Sequence, residues 1–509
     1  MKIRQGKVYI VGAGPGDCGL LTVKGLEKLK TAEVVVYDRL INNELLSCCK
    51  EECEKIFVGK ESGYHPIEQE KIIEILLNKS KAGNIVVRLK GGNPFVFGRG
   101  SEEAIALKKA GIDFEIIPGI TSGLAAPIYS GIPITQRGLI TQCVFVTAHE
   151  CPDKPGTQVD WEKLAKLKNT SLVIYMGASR IEAISQKLIE YEMDPATPAA
   201  VVENGTLPNQ RTITARLDHI TEEFKKQSFH APAIIMISPA ISLRDEISWF
   251  EKKRLLNKRI VICGEKNQQD ELYSTLSDLG AEVLRLSLIK MKTKKPTVNL
   301  QELFLKNNFE WVCFTGESEV KSFFELLREK NSDARIFANK KIASIGANTT
   351  KALKSFGLNP DYSREETLSS LPAENTFSKY KMNGHDLLWI KEVNGKDEMP
   401  SELKKIENKV RSVDVSEYLF NEPEPDLVET IQNNNVDVFI FTNSTTIEFF
   451  FKVFGNKKAK KIINHAKVVV ADLTSVKILS GKNISNVTDS SGKTIEGICD
   501  AICDVLTGK

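Results

Sequence analysis

The first half of the chain alternates short, wholly apolar runs with segments of helical periodicity, and no other feature constrains its fold more. The runs are VYIVGAG, EVVVYD, KIFVG, NIVVRLKGG and FEIIPG, followed by QCVFVTAH, SLVIYMG, PAAVVENG and PAIIMIS. Apolar runs of about four to six residues are typical of strands buried on both faces of a parallel sheet. We therefore predict an α/β fold whose ligands bind beyond the carboxyl ends of the strands.

Two breaks in this alternation predict the domain organisation. The Pro- and Gly-rich segment IIPGITSGLAAPIYSGIPITQR separates two α/β subdomains, at about 6–118 and 119–245, and lines the cleft between them. The charged stretch RDEISWFEKK ends the pattern, so we place the first domain at 1–250, a linker at 251–257 and a second domain at 258–509. In the second domain, WVCFTGESEVKSFFELL and VFIFTNSTTIEFFFKVF share a strand, turn and helix plan. This near-repeat favours two similar lobes, although chance similarity among α/β units remains the alternative.

Composition excludes several classes of partner. The 509 residues carry a net charge of +3, which provides no global field for nucleic acid or a membrane surface. No apolar run reaches the length of about 20 residues that spans a bilayer, and the start of the chain does not resemble a secretion signal. The ten cysteines include no C-x-x-C pair. We therefore expect a cytoplasmic protein with free thiols and no metal site.

The stretch VGAGPGD at 11–17 is a near-match to the dinucleotide fingerprint G-x-G-x-x-G, and it departs from that fingerprint where phosphate would bind. Asp17 occupies the position of the third glycine, and its charge would repel a phosphate. Pro15 removes one backbone donor. These departures disfavour a nicotinamide or flavin site, and the other interpretations are a purely structural tight turn or a site for a small molecule without a pyrophosphate.

Read together, the loops at the strand ends resemble those of the uroporphyrinogen-III C-methyltransferases, which use S-adenosylmethionine. The motifs, in order, are VYIVGAGPGDCGLLTVKGL, VVVYDRLI, VGKESGYH, VVRLKGGNPFVFGRGSEE, PGITSGLAAPIYSGIPIT, VIYMG and VENGT. The resemblance covers residues 6–250 and implies a tetrapyrrole methyltransferase fold of two α/β domains. It also implies that S-adenosylmethionine is the cofactor and S-adenosylhomocysteine its product.

The resemblance implies a set of cofactor-binding residues. They are Pro15, Gly91, Gly92, Asn93, Val96, Thr121, Ser122, Met176 and Gly205. The glycine pair would let the backbone approach the cofactor closely, and Met176 would pack beside adenine, although a tight turn and an ordinary core methionine are the alternatives. The family usually has Asp where this chain has Asn93, so the negative charge that favours a sulfonium is lost.

The resemblance also assigns the chemistry of methyl transfer. Asp38 matches the proposed proton acceptor and Lys60 the proposed proton donor, and the alternative for these two is a partly exposed ion pair. The tetrapyrrole substrate carries eight carboxylates, so cations should surround its pocket. The candidates are Arg39, Arg88, Lys90 and Arg99, any of which can instead be a solvated surface charge.

Residues 258–509 resemble uroporphyrinogen-III synthase, which cyclises hydroxymethylbilane. The resemblance implies a two-lobed α/β fold, with lobe 1 at about 258–295 plus 420–509 and lobe 2 at about 296–419. Tyr418 matches a tyrosine that promotes loss of the hydroxyl group, or is an ordinary strand tyrosine. Threonines at strand-end turns are the candidates for binding substrate carboxylates, namely Thr315, Thr349, Thr442 and Thr474. The first strand ends in CGEK, where the family commonly has an arginine.

The two resemblances together predict a bifunctional enzyme of tetrapyrrole biosynthesis. It would cyclise hydroxymethylbilane to uroporphyrinogen III and methylate that product twice to precorrin-2, the precursor of sirohaem and cobalamin. One alternative is a methyltransferase that acts later in corrinoid synthesis, and another is a methyltransferase whose second half binds tetrapyrroles without catalysis. We expect small-molecule tetrapyrroles as partners and a homodimer formed through the methyltransferase half.

Overall fold

The computed structural model of the chain describes residues 6–59, 68–149, 158–306, 309–364, 386–393, 409–433, 435–471, 473–490 and 495–507. The chain divides into two compact units, Met1–Asn257 and Lys258–Lys509. Each unit combines β-sheet with flanking helices, so the predicted α/β fold is confirmed. In the part of the chain that the structure describes, no helix is both long and apolar enough to cross a bilayer.

The first unit begins with a five-stranded sheet in the order β3-β2-β4-β1-β5. All four neighbouring pairs are parallel, as the unbroken apolar runs predicted. The strands are β1 Lys7–Gly12, β2 Val34–Tyr37, β3 Glu54–Phe57, β4 Ile85–Lys90 and β5 Asp113–Ile117. The helices are α1 Val23–Thr31, α2 Gln69–Lys81, α3 Gly100–Lys109 and α4 Ser122–Tyr129.

A second five-stranded sheet, in the order β6-β7-β10-β8-β9, completes the first unit. Its strands are β6 Gln142–Thr147, β7 Thr170–Tyr175, β8 Pro198–Glu203, β9 Arg211–Arg216 and β10 Ala233–Ile237. Its helices are α5 Trp161–Ala165, α6 Ile181–Glu190, α7 Ile220–Lys226 and α8 Arg244–Ile247. Only β6 and β7 pair in parallel, so the predicted parallel pairing is wrong for the other three pairs.

For β8 and β9, the antiparallel pairing has a simple cause. The link between β8 and β9 spans only 204–210, whereas a parallel crossover takes roughly a dozen residues or more. Strand β9, with the sequence RTITAR, alternates polar and apolar residues at the edge of the sheet. It has no continuous apolar run, and for that reason the sequence pattern missed it.

The second unit contains one ten-stranded sheet, in the order β15-β14-β13-β16-β17-β12-β11-β18-β19-β20. The strands are β11 Arg259–Glu265, β12 Glu282–Thr293, β13 Trp311–Phe314, β14 Lys341–Ile345, β15 Tyr362–Arg364, β16 Leu387–Glu392, β17 Val410–Phe420, β18 Val438–Phe441, β19 Lys467–Val470 and β20 Val487–Asp489. The long strands β12 and β17 pair antiparallel, and the other eight pairs are parallel. This pair therefore joins two parallel halves of one sheet.

Each parallel half of this sheet has its own helices and its own core. The helices are α9 Lys266–Asp278, α10 Leu300–Lys306, α11 Glu317–Glu329, α12 Ala347–Ser355, α13 Pro425–Asn433, α14 Ser444–Phe454, α15 Asn456–Asn464, α16 Leu473–Gly481 and α17 Ile495–Thr507. One hydrophobic cluster draws on residues 261–288 and 431–484, and the other on residues 300–415. Two phenylalanine-rich helices occupy equivalent places in them, α11 after β13 and α14 after β18.

Candidate functional site

The glycine-rich turn of the first unit contacts two other strand-end loops through its backbone. Gly14 and Gly92 form a bridge in which each N–H donates to the other carbonyl, at 3.3 and 2.7 Å. A Cβ added at Gly12 would lie 2.5 Å from the Gly119 nitrogen and 2.6 Å from the Gly92 carbonyl oxygen. The loops after β1, β4 and β5 therefore meet at a distance that only glycine permits.

Asp17, which the sequence presented only as an obstacle to phosphate, connects the two subdomains of the first unit. Its carboxylate accepts hydrogen bonds from the Gly19 N–H at 2.7 Å and from the Tyr129 hydroxyl at 2.8 Å. Its own N–H donates to the Thr206 hydroxyl at 3.1 Å. The Asp17 carboxylate thus caps the 3-10 helix Cys18–Leu20 and positions the turn at Pro15 against the second subdomain.

Asn93 connects the Gly91–Gly92 turn to the neighbouring loop through both ends of its side chain. The Asn93 amide nitrogen donates to the Gly119 carbonyl at 2.9 Å, and its amide oxygen accepts from the Phe95 N–H at 2.9 Å. A carboxylate could not donate to a carbonyl, so the first of these bonds depends on asparagine. Asn93 in place of the family's usual Asp therefore adds a hydrogen bond to Gly119 as well as removing a negative charge.

The amino-terminal end of α4 lies against the same turn. A Cβ added at Gly92 would lie 3.8 Å from the Thr121 Cα and from the Ser122 nitrogen, which is an ordinary van der Waals distance, so the turn packs directly beside the helix end. The Thr121 hydroxyl lies 2.8 Å from the Tyr175 hydroxyl, which also accepts the Gly123 N–H at 2.9 Å. Tyr175, which the sequence did not single out, thereby fixes the start of α4.

The remaining predicted cofactor residues surround this helix end. Val96 packs against the hydrophobic cluster that contains Tyr175 and Ala126. Met176 directly follows Tyr175, and its side chain is 47% exposed and available for contact. A Cβ added at Gly205 would collide with Ala126 of α4. Loops that lie far apart in sequence thus converge here, as expected of a small-molecule site.

Asp38 lies just beyond the end of β2, beside the end of β4. Its Oδ1 is 2.5 Å from the Arg88 Nη2 atom, and the Asp38 side chain is 30% exposed. In the part of the chain that the structure describes, Arg88 is its only side-chain hydrogen-bond partner. Lys60, the predicted proton donor, lies outside the described residues.

Arg88 and Lys90 do not fit their predicted role in binding substrate carboxylates. Their side chains are only 1% and 5% exposed, and both donate to Oε1 of Glu103, at 3.1 and 3.0 Å. Burial, followed by the charge of Arg88, lowers the pKa of Lys90. The prediction fails because a strand-end cation was assumed to face the solvent, whereas Glu103 of α3 covers both side chains.

Arg39 and Arg99 are the exposed members of the predicted cationic set. The Arg99 guanidinium donates two hydrogen bonds to the Glu102 carboxylate, at 2.9 and 2.8 Å. These bonds lower the pKa of Glu102. An exposed pair of this kind contributes little to stability, so Arg99 can exchange Glu102 for a substrate carboxylate at low cost.

In the second unit, Tyr418 occupies β17 opposite Met291 of β12. Its hydroxyl is 3.4 Å from the Ser318 hydroxyl at the start of α11. Burial raises the pKa of Tyr418 above its ordinary value of 10.0. The phenol therefore stays protonated near neutral pH and is able to donate a hydrogen bond.

The charges of three carboxyl groups also raise the pKa of Tyr418, and sequence reasoning recognised none of these groups as part of a site. They are Glu265 at the end of β11, Glu392 at the end of β16 and Glu319 in the first turn of α11. Burial raises the pKa of Glu319 to about 8 and, together with the charge of Glu265, that of Glu392 to about 7. Burial also raises the pKa of Glu265.

The predicted threonines of the second unit differ in availability. Thr349 is 2% exposed and donates to the Ile345 carbonyl at 2.8 Å, so it does not fit the predicted contact with a substrate carboxylate. Thr315 donates to Glu319 at 3.2 Å and accepts from Trp389 at 3.2 Å. The Thr442 hydroxyl is buried over Gly264 and has no hydrogen-bond partner among the described residues. Thr474 lies in the first turn of α16.

Comparisons with known proteins match the two units separately. Residues 7–221 match the tetrapyrrole (corrin/porphyrin) methylases, and residues 270–500 match uroporphyrinogen-III synthase HemD. The chain is 40% identical to the porphyrin biosynthesis protein HemD of Ruminiclostridium josui, over 71% of this chain and 72% of that protein. It is 38% identical to the uroporphyrinogen-III C-methyltransferase of Bacillus subtilis, over 75% of this chain and 79% of that protein.

One solved structure similar to the chain is the native form of uroporphyrin III C-methyl transferase from Thermus thermophilus. The two sequences are 38% identical, and the match covers 47% of this chain and 99% of that one, with a TM-score of 0.40.

Proposed function

We propose that this chain catalyses two consecutive reactions. The chain belongs to the family of porphyrin biosynthesis proteins that join a tetrapyrrole methylase to a uroporphyrinogen-III synthase region. The chain is a bifunctional enzyme of tetrapyrrole biosynthesis. Its second unit cyclises hydroxymethylbilane to uroporphyrinogen III. Its first unit then methylates that product twice to give precorrin-2, and S-adenosylmethionine is converted to S-adenosylhomocysteine in each transfer.

The observation that carries the methyltransferase assignment is the convergence of strand-end loops on the start of α4. The turn at Gly92 has a φ of +65° and lies 3.8 Å, as measured from an added Cβ, from the Thr121 and Ser122 backbone, so a ligand at this turn would contact backbone from the loop and from the start of α4. The sulfonium of S-adenosylmethionine supplies the methyl group. Gly91, Gly92 and Asn93 would hold the cofactor on one side, and Met176 and Gly205 on the other.

Asp38 has the geometry of a proton acceptor in this reaction. Arg88 holds one of its oxygens, while the 30% exposure of the side chain leaves the carboxylate accessible. When the new carbon–carbon bond forms, the tetrapyrrole must lose a proton, and a positioned carboxylate can accept it. Arg39 and Arg99, whose side chains are exposed, would bind substrate carboxylates.

Tyr418 is the candidate for the cyclisation step in the second unit. The carbon–oxygen bond of the hydroxymethyl group breaks, and the hydroxyl leaves as water after taking up a proton. A phenol that remains protonated can donate a hydrogen bond to that departing oxygen. Ser318, at 3.4 Å, helps to orient the phenol.

A second candidate function follows from the carboxyl groups around Tyr418. Glu265 stands where the family commonly has an arginine, and Glu319 and Glu392 lie near the same phenol. Ionised carboxylates weaken the binding of a polyanion, so Glu265 in place of an arginine favours a second unit that binds a tetrapyrrole weakly and does not cyclise it. Glu319 and Glu392, whose pKa values are about 8 and about 7, add to this effect only as pH rises through those values.

Incubation of the protein with hydroxymethylbilane tests the second unit, and incubation with uroporphyrinogen III and S-adenosylmethionine tests the first. We expect the type III isomer from the former and a dimethylated product from the latter. Formation of only the spontaneous type I isomer would support the non-catalytic alternative. Failure to methylate uroporphyrinogen III would favour a later corrinoid substrate.

We also propose that the protein is a cytoplasmic homodimer associated through the methyltransferase half. Large apolar side chains are exposed near α4, where Ile128 is 49% and Trp249 44% exposed, and the Trp249 indole donates to the Ile128 carbonyl at 3.3 Å. Light scattering of the full chain at micromolar concentration measures this directly. A monomeric mass would contradict the proposal.

A further inference from the structure

We infer that Arg88 and Glu103 are positioning residues that hold Asp38 in place for proton transfer, an inference that rests on the proposed methyl transfer. The juxtaposition that supports it is a buried chain of contacts that begins at Glu103 of α3, passes through Arg88 of β4 and ends at Asp38 after β2.

The Arg88 guanidinium has a partner for each of its nitrogens. Nε donates to Glu103 at 3.1 Å, and Nη1 donates to the carbonyls of Val36 and Leu89 at 3.3 and 3.2 Å. Nη2 donates to Asp38 at 2.5 Å. A planar group with its other nitrogens held in this way can neither rotate nor withdraw, so it presents Nη2 to Asp38 in one orientation.

Glu103 anchors the other end of this chain. Its side chain has no solvent exposure, and its Oε1 accepts from Arg88, from Lys90 at 3.0 Å and from the Gln69 amide at 3.1 Å. The cluster contains two cations and two carboxylates, so its formal charges balance. Asp38 is the only one of the four charged side chains with substantial exposure.

A purely structural role explains this arrangement poorly. Buried ion pairs cost desolvation energy, and well-packed apolar residues of similar volume usually stabilise a core as well or better. Arg88 nevertheless connects a fully buried glutamate to the one carboxylate of the cluster that is partly exposed. Such a contact leaves the second oxygen of Asp38 available to accept a proton at a fixed position.

The test compares Arg88→Lys and Glu103→Gln with the matched control Glu251→Gln. Glu251→Gln removes the ion pair between Glu251 and Arg244, whose atoms lie 2.7 Å apart. Each side chain of this pair is 19% exposed, and the pair lies in the part of the unit that carries the second sheet. For each full-length variant, the measurements are kcat for methylation of uroporphyrinogen III, the Kd of S-adenosylhomocysteine by calorimetry, and Tm.

We expect kcat to fall by about 10- to 100-fold in both positioning variants, because small misplacements of a reacting group have effects of that order. The Kd should stay within about twofold of the parent value, because neither residue lies on the cofactor turn. The control should lose Tm without losing kcat. An unchanged kcat in Arg88→Lys and Glu103→Gln, or a matching loss in the control, would overturn the inference.

Two further variants keep the inference testable if Glu103→Gln does not fold. Gln69→Met removes an uncharged donor to the same Glu103 oxygen, and we expect a smaller fall in kcat with Kd unchanged. Full turnover by Gln69→Met and Arg88→Lys together would refute the positioning role. Asp38→Asn distinguishes the proposed role of Asp38 from the positioning role of Arg88 and Glu103. If Asp38→Asn turns over at the parent rate, the proposed role of Asp38 fails. If Asp38→Asn is inactive while Arg88→Lys is active, only the positioning role is refuted.

Discussion

Replacement of Glu319 by glutamine should change how the stability of the second unit depends on pH. Glu319 is 6% exposed, and burial, reinforced by the charge of Glu392, raises its pKa from an ordinary value of 4.5 to about 8. The folded state therefore retains a proton that the unfolded chain loses between those values. Its contribution to stability is fully present below the unfolded pKa and is lost as pH rises through the folded pKa.

The size of this effect follows from the gap between the two pKa values. At about 1.36 kcal/mol per pH unit, the gap amounts to at most about 5 kcal/mol. This is a large share of the 5 to 15 kcal/mol that is typical of a domain. Glutamine is neutral at every pH, so the Glu319→Gln protein should match the parent near pH 5 and exceed its stability by several kcal/mol near pH 8.5.

Cys263 and Cys313 provide a probe confined to the second unit, because both thiols are buried in its strands β11 and β13. Brief labelling of the full-length protein along a urea series, read by mass spectrometry, gives the unfolding midpoint of that unit. Parent and variant are compared at the same pH, so the reactivity of the thiols cancels.

The control is Glu317→Gln, which changes a more exposed glutamate of the same helix that pairs with Lys321. Glu317→Gln should leave the pH dependence of the second unit's stability as it is in the parent. Parallel stability curves for parent and Glu319→Gln between pH 5 and pH 8.5 would refute the account of this carboxyl group.

Three other substitutions test separate parts of the account. Tyr418→Phe should slow cyclisation while methylation continues at the parent rate, as isomer analysis and product mass would reveal; unchanged formation of the type III isomer contradicts the role of the phenol. Asn93→Asp should lower stability by about 1 to 3 kcal/mol, because the Gly119 carbonyl loses its donor, and thermal unfolding measures this. Gly119→Ala places a Cβ against the Gly92 carbonyl, so we expect the Kd of S-adenosylhomocysteine, measured by calorimetry, to rise at least about tenfold. An unchanged Kd would show that the turn does not contact the cofactor.

Local sequence patterns were sufficient for the fold where each strand forms one apolar run. The first sheet follows directly from those runs, and both family resemblances are confirmed by the matched regions. Strand pairing in the second sheet was not predictable in the same way, because an apolar run does not reveal which neighbour a strand will have. The short link before β9 was the one available signal of a hairpin.

The site was predictable where glycine spacing and motif order carried the information. It was not predictable where a side chain meets a partner distant in sequence, as Arg88 meets Asp38 across fifty positions. Glu103 gave a usable signal, because it shares the inward face of α3 with Ala104 and Leu107 and is therefore a charged residue on an apolar stripe. Lys60 remains a prediction.

The central claim is that one chain converts a linear tetrapyrrole into a dimethylated macrocycle. The most direct test incubates the full-length protein with hydroxymethylbilane and S-adenosylmethionine and follows product mass, isomer type and absorbance. The account predicts a type III macrocycle that carries two added methyl groups. A product mixture that contains only unmethylated type I macrocycle would contradict it.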